Sequence, residues 1–486
     1  MNKDLTALKP ALVWKHFAAL CQIPHPSHHE EKIRQYILDF AAEQGIDCYE
    51  DSAHNIRLRK GATAGMESRK GIILQAHLDM VAQKNNDKVF DFENDTIEAY
   101  IDGEWVTANG TTLGADNGIG VASALAVFED ESIAHGPIEA LFTATEETGM
   151  DGAFGLEGGI LQGDILLNLD SETEGELYVG CAGGLDANIA FRYTAEMAPT
   201  AGYTPAKISV KGLHGGHSGV QIICQFANAN KLLFRLLYAA SSKGLRLAEV
   251  KGGSLRNAIP REAEAVVLVK SDCFEAFAEQ VAAYEKTVQK EYALTEESIS
   301  ITLAKCEAPT SVIPAEVAKP LIKAVVACPD GVYRMSMAMK GLVQTSNNLA
   351  LIASDGECIH LQSLLRSSLN SEKEALGEMI QALFTLAGGE VELTGSYDGW
   401  NPNMASPILA AMLDSYESLY GKRPEITAIH AGLECGILGS KYPNLDMISF
   451  GPTIVSPHSP DERVEIASVE KFYDFLLHTL SNAPEK

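Results

Sequence analysis

A buried β-strand is predicted by the run Gly71-Ile-Ile-Leu-Gln-Ala-His-Leu-Asp-Met80, in which apolar and β-branched residues follow one another. His77 and Asp79 lie two residues apart, and alternate side chains of a strand share a face. A histidine at the end of a buried strand, with a carboxylate beside it, suits a metal ligand and the residue that orients it. Taken alone, the pair is explained better as a surface pair at a strand end, so its meaning depends on the motifs that follow.

The second motif is Gly110-Thr-Thr-Leu-Gly-Ala-Asp-Asn-Gly-Ile-Gly120. Glycines flank Asp116 and allow a tight backbone turn. The small, apolar stretch from Gly118 to Phe128 predicts a buried helix, so Asp116 lies in the loop that enters this helix. Aspartate is favoured as a helix N-cap, and by itself the motif favours that structural role.

The third motif is Ile138-Glu-Ala-Leu-Phe-Thr-Ala-Thr-Glu-Glu-Thr-Gly149, which predicts a strand followed by two adjacent carboxylates. Neighbours on an extended backbone point in different directions. Glu146 and Glu147 can therefore take different tasks, one as a metal ligand and the other as a free base. Because Glu-Glu pairs are also common on solvated helices, this motif is ambiguous by itself.

Two further motifs end in a possible ligand. In Asp164-Ile-Leu-Leu-Asn-Leu-Asp-Ser-Glu172, Asp170 closes another apolar strand. In Gly451-Pro-Thr-Ile-Val-Ser-Pro-His-Ser-Pro-Asp-Glu462, His458 lies between two prolines, which stiffen the loop. A single histidine in a loop is usually a solvated side chain, so these motifs gain weight only together with the others.

Together the motifs predict a metal site at one edge of a parallel sheet, where the carboxyl ends of the strands meet. Carboxylate and imidazole ligands suit zinc, with manganese or cobalt as alternatives. If one carboxylate bridges two metals ~3.5–4 Å apart, each metal has three protein ligands and a shared water makes four. The charges balance, since three carboxylates and one hydroxide offset two divalent cations. The five candidate ligands are His77, Asp116, Glu147, Asp170 and His458.

The five motifs, in this order, resemble those of the M20 family of metallopeptidases, and the resemblance extends along essentially the whole chain. It is strongest to the aminoacylhistidine dipeptidase (Xaa-His dipeptidase, cytosolic non-specific dipeptidase) branch. The runs that carry the resemblance to this branch are Gln75-Ala-His-Leu-Asp-Met80, Gly180-Cys-Ala-Gly-Gly184, Gly215-Gly-His-Ser-Gly219, Arg256-Asn-Ala-Ile-Pro-Arg261 and His430-Ala-Gly-Leu-Glu-Cys-Gly436.

The resemblance implies two Zn²⁺ ions per subunit, for which Mn²⁺ or Co²⁺ could substitute. It implies that His77 and Asp170 bind one zinc, that Glu147 and His458 bind the other, and that Asp116 bridges.

The resemblance also implies the reaction. A hydroxide that bridges the two zinc ions attacks the peptide bond of an Xaa-His or other unblocked dipeptide, such as β-alanyl-histidine. Glu146 acts as the general base and Asp79 orients His77. A related tripeptidase, carboxypeptidase or N-acyl amino acid deacylase is the alternative. A non-catalytic metal or peptide binder is disfavoured, because both Asp79 and Glu146 are present.

Four residues resemble the family's substrate-binding positions. His217 resembles the residue that reaches the scissile carbonyl oxygen, in many relatives from the partner subunit. Asn257 and Arg366 resemble residues that hold the substrate carboxylate, for which the two-pronged guanidinium of arginine is suited. Gly432 resembles part of the wall near the substrate.

The order of the motifs predicts one domain inserted into another. We expect an α/β catalytic domain with a mixed, mainly parallel sheet between helices, formed by residues 1–186 and 402–486. An inserted α+β lid and dimerisation domain, 187–401, interrupts it, and by resemblance makes the protein a homodimer. Near the amino terminus, Ser27-x-x-Glu30 predicts a helix capping box, which makes His28 and His29 first-turn residues rather than ligands.

Composition excludes several functions. The chain has 486 residues, more than one domain usually contains, and its 46% hydrophobic content permits a large core. A formal net charge of −27 argues against nucleic-acid binding, which needs a basic face. No apolar run approaches the ~20 residues of a membrane helix, and Met1–Pro10 lacks the apolar core of a secretory signal. Nine cysteines without close pairs indicate reduced thiols, so we expect a cytoplasmic protein.

Overall fold

The computed structural model describes residues 5–241 and 244–486. Residues 1–4, which begin both the predicted catalytic segment and the stretch Met1–Pro10, lie outside the described residues. The chain divides into two compact units. The first unit comprises Met1–Cys181, Trp400–Ala428 and Leu433–Lys486, and the second comprises Ala182–Gly399 and Ile429–Gly432.

The first unit is built on a mixed eight-stranded sheet whose centre is parallel. Its central strands lie in the order Ile138–Thr143, Ile72–His77, Ile165–Asn168 and Asp446–Ser449. Every residue of the first three is buried, as continuous apolar runs predict for strands covered on both faces. The outer strands are Asp47–Glu50, Ile56–Lys60, Glu176–Cys181 and Glu425–Ile429.

A smaller four-stranded sheet in the first unit carries the loop of His458. Ile454–Val455 pairs antiparallel with Arg463–Glu465, so the connecting residues form a hairpin loop. Trp105–Ala108 and Ala99–Asp102 complete this sheet. The helices of the first unit are Ala11–Leu20, Glu31–Gln44, Ala115–Glu129, Asp151–Gly155, Pro407–Tyr420, Glu434–Lys441 and Ile466–Ser481, and a 3₁₀ turn spans Leu5–Ala7.

The second unit contains a nine-stranded sheet in which neighbouring strands pair antiparallel. Its strands are Gly183–Arg192, Tyr203–Lys211, Arg246–Gly252, Ala263–Lys270, Ser300–Lys305, Gly331–Met335, Val343–Ser354, Cys358–Ser367 and Glu390–Tyr397. Glu196–Met197 and Ser311–Val312 form a separate pair. Its helices are Ala229–Ala240, Phe274–Glu291, Ala315–Ala327 and Asn370–Leu386, with 3₁₀ turns at Ile222–Cys224 and Ser271–Cys273.

The predicted α/β fold with a mixed sheet and an α+β segment is confirmed, and the four central strands of the first unit's sheet pair in parallel. Within the described ranges, no helix is both long and apolar enough to cross a membrane.

The predicted capping box at Ser27-x-x-Glu30 is wrong. The helix begins at Glu31 without a side-chain capping hydrogen bond. The Ser27 hydroxyl instead donates to Oδ2 of Asp79 at 2.7 Å, and Oε1 of Glu30 accepts from both the amide and the hydroxyl of Thr145. Both side chains therefore bind residues distant in sequence, although Oε1 of Glu30 also accepts the N–H of His28 at 3.0 Å.

We expect Leu74→Ala to lower the free energy of unfolding by about 2–5 kcal/mol, because it leaves a cavity at the centre of the sheet. Leu74 is 0% exposed and faces Ala140 and Leu167 on the neighbouring strands. Leu419, which is 38% exposed, provides the control, and its replacement by alanine should cost about 1 kcal/mol or less. Denaturant unfolding of both variants measures the difference, and equal losses would contradict the placement of Leu74.

Candidate metal centre

The fold brings the predicted ligands to the carboxyl edge of the first unit's central strands. His77 is the last residue of its strand, Asp170 follows the neighbouring strand by two residues, and Glu147 follows the strand on the other side by four. Because these three strands are parallel neighbours, their ends meet at one edge. Asp116 lies at the start of helix Ala115–Glu129 with extended backbone angles, and His458 lies in the hairpin loop.

Asp116 presents one carboxylate oxygen to each of two imidazoles. Its Oδ1 is 3.2 Å from Nε2 of His77, and its Oδ2 is 3.0 Å from Nε2 of His458. The same nitrogen of His77 is 3.2 Å from Oδ1 of Asp170, and that of His458 is 3.0 Å from Oε2 of Glu147. Two groups of potential ligand atoms thus share Asp116.

These distances and charges suit divalent cations. Zinc binds imidazole nitrogen and carboxylate oxygen at about 2.0–2.2 Å, so donor atoms of a tetrahedral site lie about 3.3–3.6 Å apart, slightly more than the 3.0–3.2 Å between the donors here. Oε1 of Glu147 is buried without a hydrogen-bond partner among the described residues. Buried carboxylates without partners are costly unless a cation compensates them. The donor set of nitrogen and oxygen therefore fits a metal centre.

The carboxylates also change the pKa values of the two histidines. Hydrogen bonds to Asp116 and Glu147 raise the pKa of His458 to about 11. Burial lowers the pKa of His77, but the nearby charge of Asp170 and the hydrogen bond to Asp116 outweigh it, and the pKa lies well above its usual value. Both shifts reflect an excess of negative charge that a bound cation would neutralise.

Asp79 is linked to both sides of this cluster. Nδ1 of His77 donates to the backbone carbonyl of Asp79 at 3.0 Å and lies 3.4 Å from its carboxylate, which leaves Nε2 directed at the other carboxylates. The Asp79 carboxylate accepts the backbone N–H groups of Glu146 at 2.8 Å and Glu147 at 3.2 Å. Burial raises the pKa of Asp79, but its interactions with His77 outweigh this and lower it to about 2. Asp79 therefore fixes the Glu146–Glu147 turn as well as the His77 ring.

Glu146 lies in the same cluster and forms a potential ligand group with His77 and Glu147. Burial raises the pKa of Glu146 well above its usual value, opposed by His77 and reinforced by Asp170 and Glu434. A raised pKa means that the Glu146 carboxylate binds a proton more strongly than an exposed glutamate does. This property suits a general base rather than a permanently ionised ligand.

Two buried glutamates at the centre were not identified from the sequence. Glu434 accepts hydrogen bonds from the Gln75 amide at 2.6 Å and the Thr143 hydroxyl at 2.8 Å, and burial raises its pKa to about 7. Glu462 accepts backbone N–H groups of the Asp116 turn. Both lie inside motifs quoted above. Glu434 is an acidic residue in a run of small and apolar residues, which is a signal, whereas Glu462 follows Asp461 in a loop rich in serine and proline and has none.

The predicted substrate-binding residues all belong to the second unit. Nδ1 of His217 accepts the backbone N–H groups of Gly219 and Val220, each at 3.2 Å, so its Nε2 carries the proton of the neutral ring. Burial and the charge of Arg366 lower the pKa of His217, which favours this neutral form. Asn257 is exposed, and its backbone carbonyl accepts a hydrogen bond from the amide of Ser218 at 2.8 Å.

Arg366 is a buried cation, 5% exposed, and it forms no ion pair with a carboxylate of the described chain. Its Nη1 donates to the Tyr397 hydroxyl at 3.1 Å, and its Nε has no partner among the described residues. Gly432 lies against the same ring, where a Cβ would be 3.1 Å from a Tyr397 carbon. His430 is also buried here, and burial lowers its pKa to about 3.

Comparison with known proteins identifies relatives along the whole chain. A family model described as peptidase family M20/M25/M40 matches residues 73–482. The cytosol non-specific dipeptidase of Escherichia coli (strain K12) is 47% identical over 484 residues, which is 99% of this chain and 100% of the relative. The crystal structure of aminoacylhistidine dipeptidase from Vibrio alginolyticus superposes with a TM-score of 0.95 at 48% identity, over 100% of this chain and 99% of that one. Aminopeptidase PepT from Bacillus cereus shares the fold at 15% identity, with a TM-score of 0.58 over 98% of this chain and 99% of that one.

We expect His458→Ala to bind fewer metal ions per chain than the unaltered protein, because it removes the nitrogen that faces Asp116 and Glu147. Elemental analysis after loading with Zn²⁺ and removal of free metal measures the content. His29→Ala is the control, since the His29 side chain is half-exposed and lies 3.7 Å from the Glu93 carboxylate. Metal content that is the same in all three proteins would show that His458 is not a ligand.

Proposed function

This chain belongs to peptidase family M20/M25/M40, and we propose that it is a metal-dependent dipeptidase that hydrolyses Xaa-His and other unblocked dipeptides, such as β-alanyl-histidine. The observation that carries the proposal is the Asp116 carboxylate, which divides its two oxygens between two groups of imidazole and carboxylate donors. The similarity to proteins named cytosol non-specific dipeptidase and aminoacylhistidine dipeptidase supports the substrate class.

The proposed cofactor is a pair of Zn²⁺ ions per subunit, with Mn²⁺ or Co²⁺ as possible substitutes. His77 and Asp170 would hold one ion, Glu147 and His458 the other, and Asp116 would bridge them. When bound, such ions supply Lewis acidity, which polarises a carbonyl group and makes water acidic enough to react near neutral pH. The buried Oε1 of Glu147, which has no hydrogen-bond partner among the described residues, supports this assignment.

Glu146 is the proposed general base. Its raised pKa lets it take the proton from the attacking water and pass it to the leaving amine. Asp79 holds the backbone N–H of Glu146 and so determines where the base lies. In this scheme Asp79 is a positioning residue, and it also holds the His77 ring through Nδ1.

The substrate carboxylate is the proposed ligand of Arg366. A buried guanidinium without a carboxylate partner in the described chain is costly until an anion binds, and its fork can bind a carboxylate at two points. His217 is proposed to donate its Nε2 proton to the scissile carbonyl oxygen, where negative charge develops. Asn257 and Gly432 are proposed to complete the substrate site, with Gly432 kept small by Tyr397.

We also propose a cytoplasmic homodimer that associates through the second unit and binds neither nucleic acid nor membrane. Strand Ser300–Lys305 is at the edge of the second unit's sheet, where one side of its backbone can pair with another chain. The nine cysteines are all free, as expected in a reducing compartment. The net charge of −27 opposes binding to a polyanion.

We expect Glu146→Gln to keep its metal and to hydrolyse β-alanyl-histidine about 10²–10⁴-fold more slowly, because glutamine cannot accept the proton. Steady-state rates and metal analysis of the same sample separate the two properties. Glu131→Gln, which changes an exposed glutamate of the first unit, is the matched control and should have the original rate. A Glu146→Gln variant with an undiminished rate would contradict the assignment of the base.

The alternative is a related tripeptidase, carboxypeptidase or N-acyl amino acid deacylase. We expect β-alanyl-histidine to be cleaved much faster than a tripeptide with the same carboxyl-terminal residues, an N-acetylated dipeptide or an acetyl amino acid. Each product is separated and quantified at equal substrate concentration. Faster cleavage of the tripeptide or the acetyl amino acid would replace the dipeptidase proposal with the matching alternative.

A further inference from the structure

Glu462 is a buried carboxylate that is neither a proposed ligand nor the proposed base. Only 2% of this residue is exposed. Its Oε2 accepts the backbone N–H groups of Leu113 at 2.7 Å and Gly114 at 3.1 Å, and its Oε1 accepts those of Ala115 at 2.8 Å and Asp116 at 3.2 Å. One side chain therefore binds four successive amides of the turn that carries Asp116.

The amides of Gly114, Ala115 and Asp116 lie at the start of the helix and have no acceptor within it, and Leu113 directly precedes them. Helix Ala115–Glu129 starts after Gly114, which has a left-handed φ of 74° and supplies no side-chain cap. Asp116, the acid of the first turn, directs its own carboxylate to His77 and His458 instead. Glu462, 346 residues further along the chain than Asp116, supplies the missing acceptor.

Glu462 also belongs to the loop that carries His458. Its own N–H donates to the carbonyl of Ser459 at 3.0 Å, and its carbonyl accepts the Thr107 hydroxyl at 2.8 Å. Strand Arg463–Glu465 begins at the next residue. Glu462 therefore ties the His458 loop to the Asp116 turn, whose side chains face each other at 3.0 Å.

Asp79 has the same arrangement on the other side of the centre. It follows His77 by two residues and binds the backbone amides of Glu146 and Glu147. In both cases an acidic residue that follows a histidine ligand in the chain accepts the backbone N–H groups beside a carboxylate ligand.

From this geometry, and on the basis of the proposed metal centre, we infer that Glu462 is a positioning residue that holds Asp116 in place to bind metal.

The test is the Glu462→Gln variant. Glutamine has nearly the same shape, but its NH₂ group faces two N–H donors, so two of the four amides lose their acceptor. We expect the affinity for Zn²⁺ to fall about 10–100-fold at the weaker-binding step, as is usual when a residue that orients a ligand is removed. Titration of the metal-free protein with Zn²⁺ against a chelating dye measures each binding step.

Glu139→Gln is the matched control in the same unit. Glu139 is also buried, at 4% exposure, and its Oε2 accepts the backbone N–H groups of Gln162 and Gly163, each at 2.8 Å. Its Oε1 pairs with Arg59 at 2.6 Å, and none of its hydrogen bonds within the described residues is to a proposed ligand. We expect this variant to be less stable and to bind Zn²⁺ with the original affinity. Equal losses of affinity in the two variants would mean that general destabilisation, and not positioning of Asp116, is responsible.

Amide hydrogen exchange of the unaltered protein gives a second test that needs no variant to fold. We expect the peptide that contains residues 113–116 to be protected in the metal-free protein, because Glu462 and not the metal holds these amides. Free exchange there, with protection only after Zn²⁺ is added, would overturn the inference. So would a folded Glu462→Gln variant with unchanged Zn²⁺ affinity. An unaltered protein that binds no metal would contradict the proposed function, whereas these two outcomes contradict the role of Glu462 alone.

Discussion

The arrangement of the site depends on the negative charge of the carboxylates that lie close together around Asp116. Its two oxygens lie 3.2 Å and 3.0 Å from imidazole nitrogens that also face Asp170 and Glu147. Several carboxylates in one buried place repel each other and lose hydration, and the two imidazoles offset part of this cost. The arrangement is stable where cations lie between the donors, so charge balance explains both the residue types and their spacing.

The sheet and the backbone hydrogen bonds account for how such a cluster can form. Three parallel strands bring His77, Asp170 and the Glu146–Glu147 turn to one edge of the sheet. None of these side chains therefore needs to be long for its donor atoms to lie near the others. Two buried acids, Asp79 and Glu462, then bind backbone amides beside the carboxylates. Held in this way, a ligand loses little side-chain freedom when metal binds, which favours tight binding and a defined geometry.

Sequence predicted much of the fold and the membership of the M20 family, and both are confirmed. Short-range patterns sufficed for the strands, since a run such as Ile72–His77 is apolar throughout and ends in the histidine. The same patterns failed where partners are distant in sequence. Ser27 and Glu30 have the spacing of a capping box, yet they bind Asp79 and Thr145. The role of Glu462 could not be predicted from the sequence either, because its partners are backbone N–H groups, which nearly every residue has. The individual roles of the site residues, and the substrate contacts of His217 and Arg366 in particular, stay predictions.

The central claim is that this centre works only with bound metal. The most direct measurement is the hydrolysis of β-alanyl-histidine by the purified protein, with its metal content determined, before chelation, after chelation and after Zn²⁺ or Mn²⁺ is added back. We predict that activity disappears with the metal and returns as about two ions bind per chain. Full activity in the chelated, metal-free protein, or no cleavage with metal bound, would contradict the account.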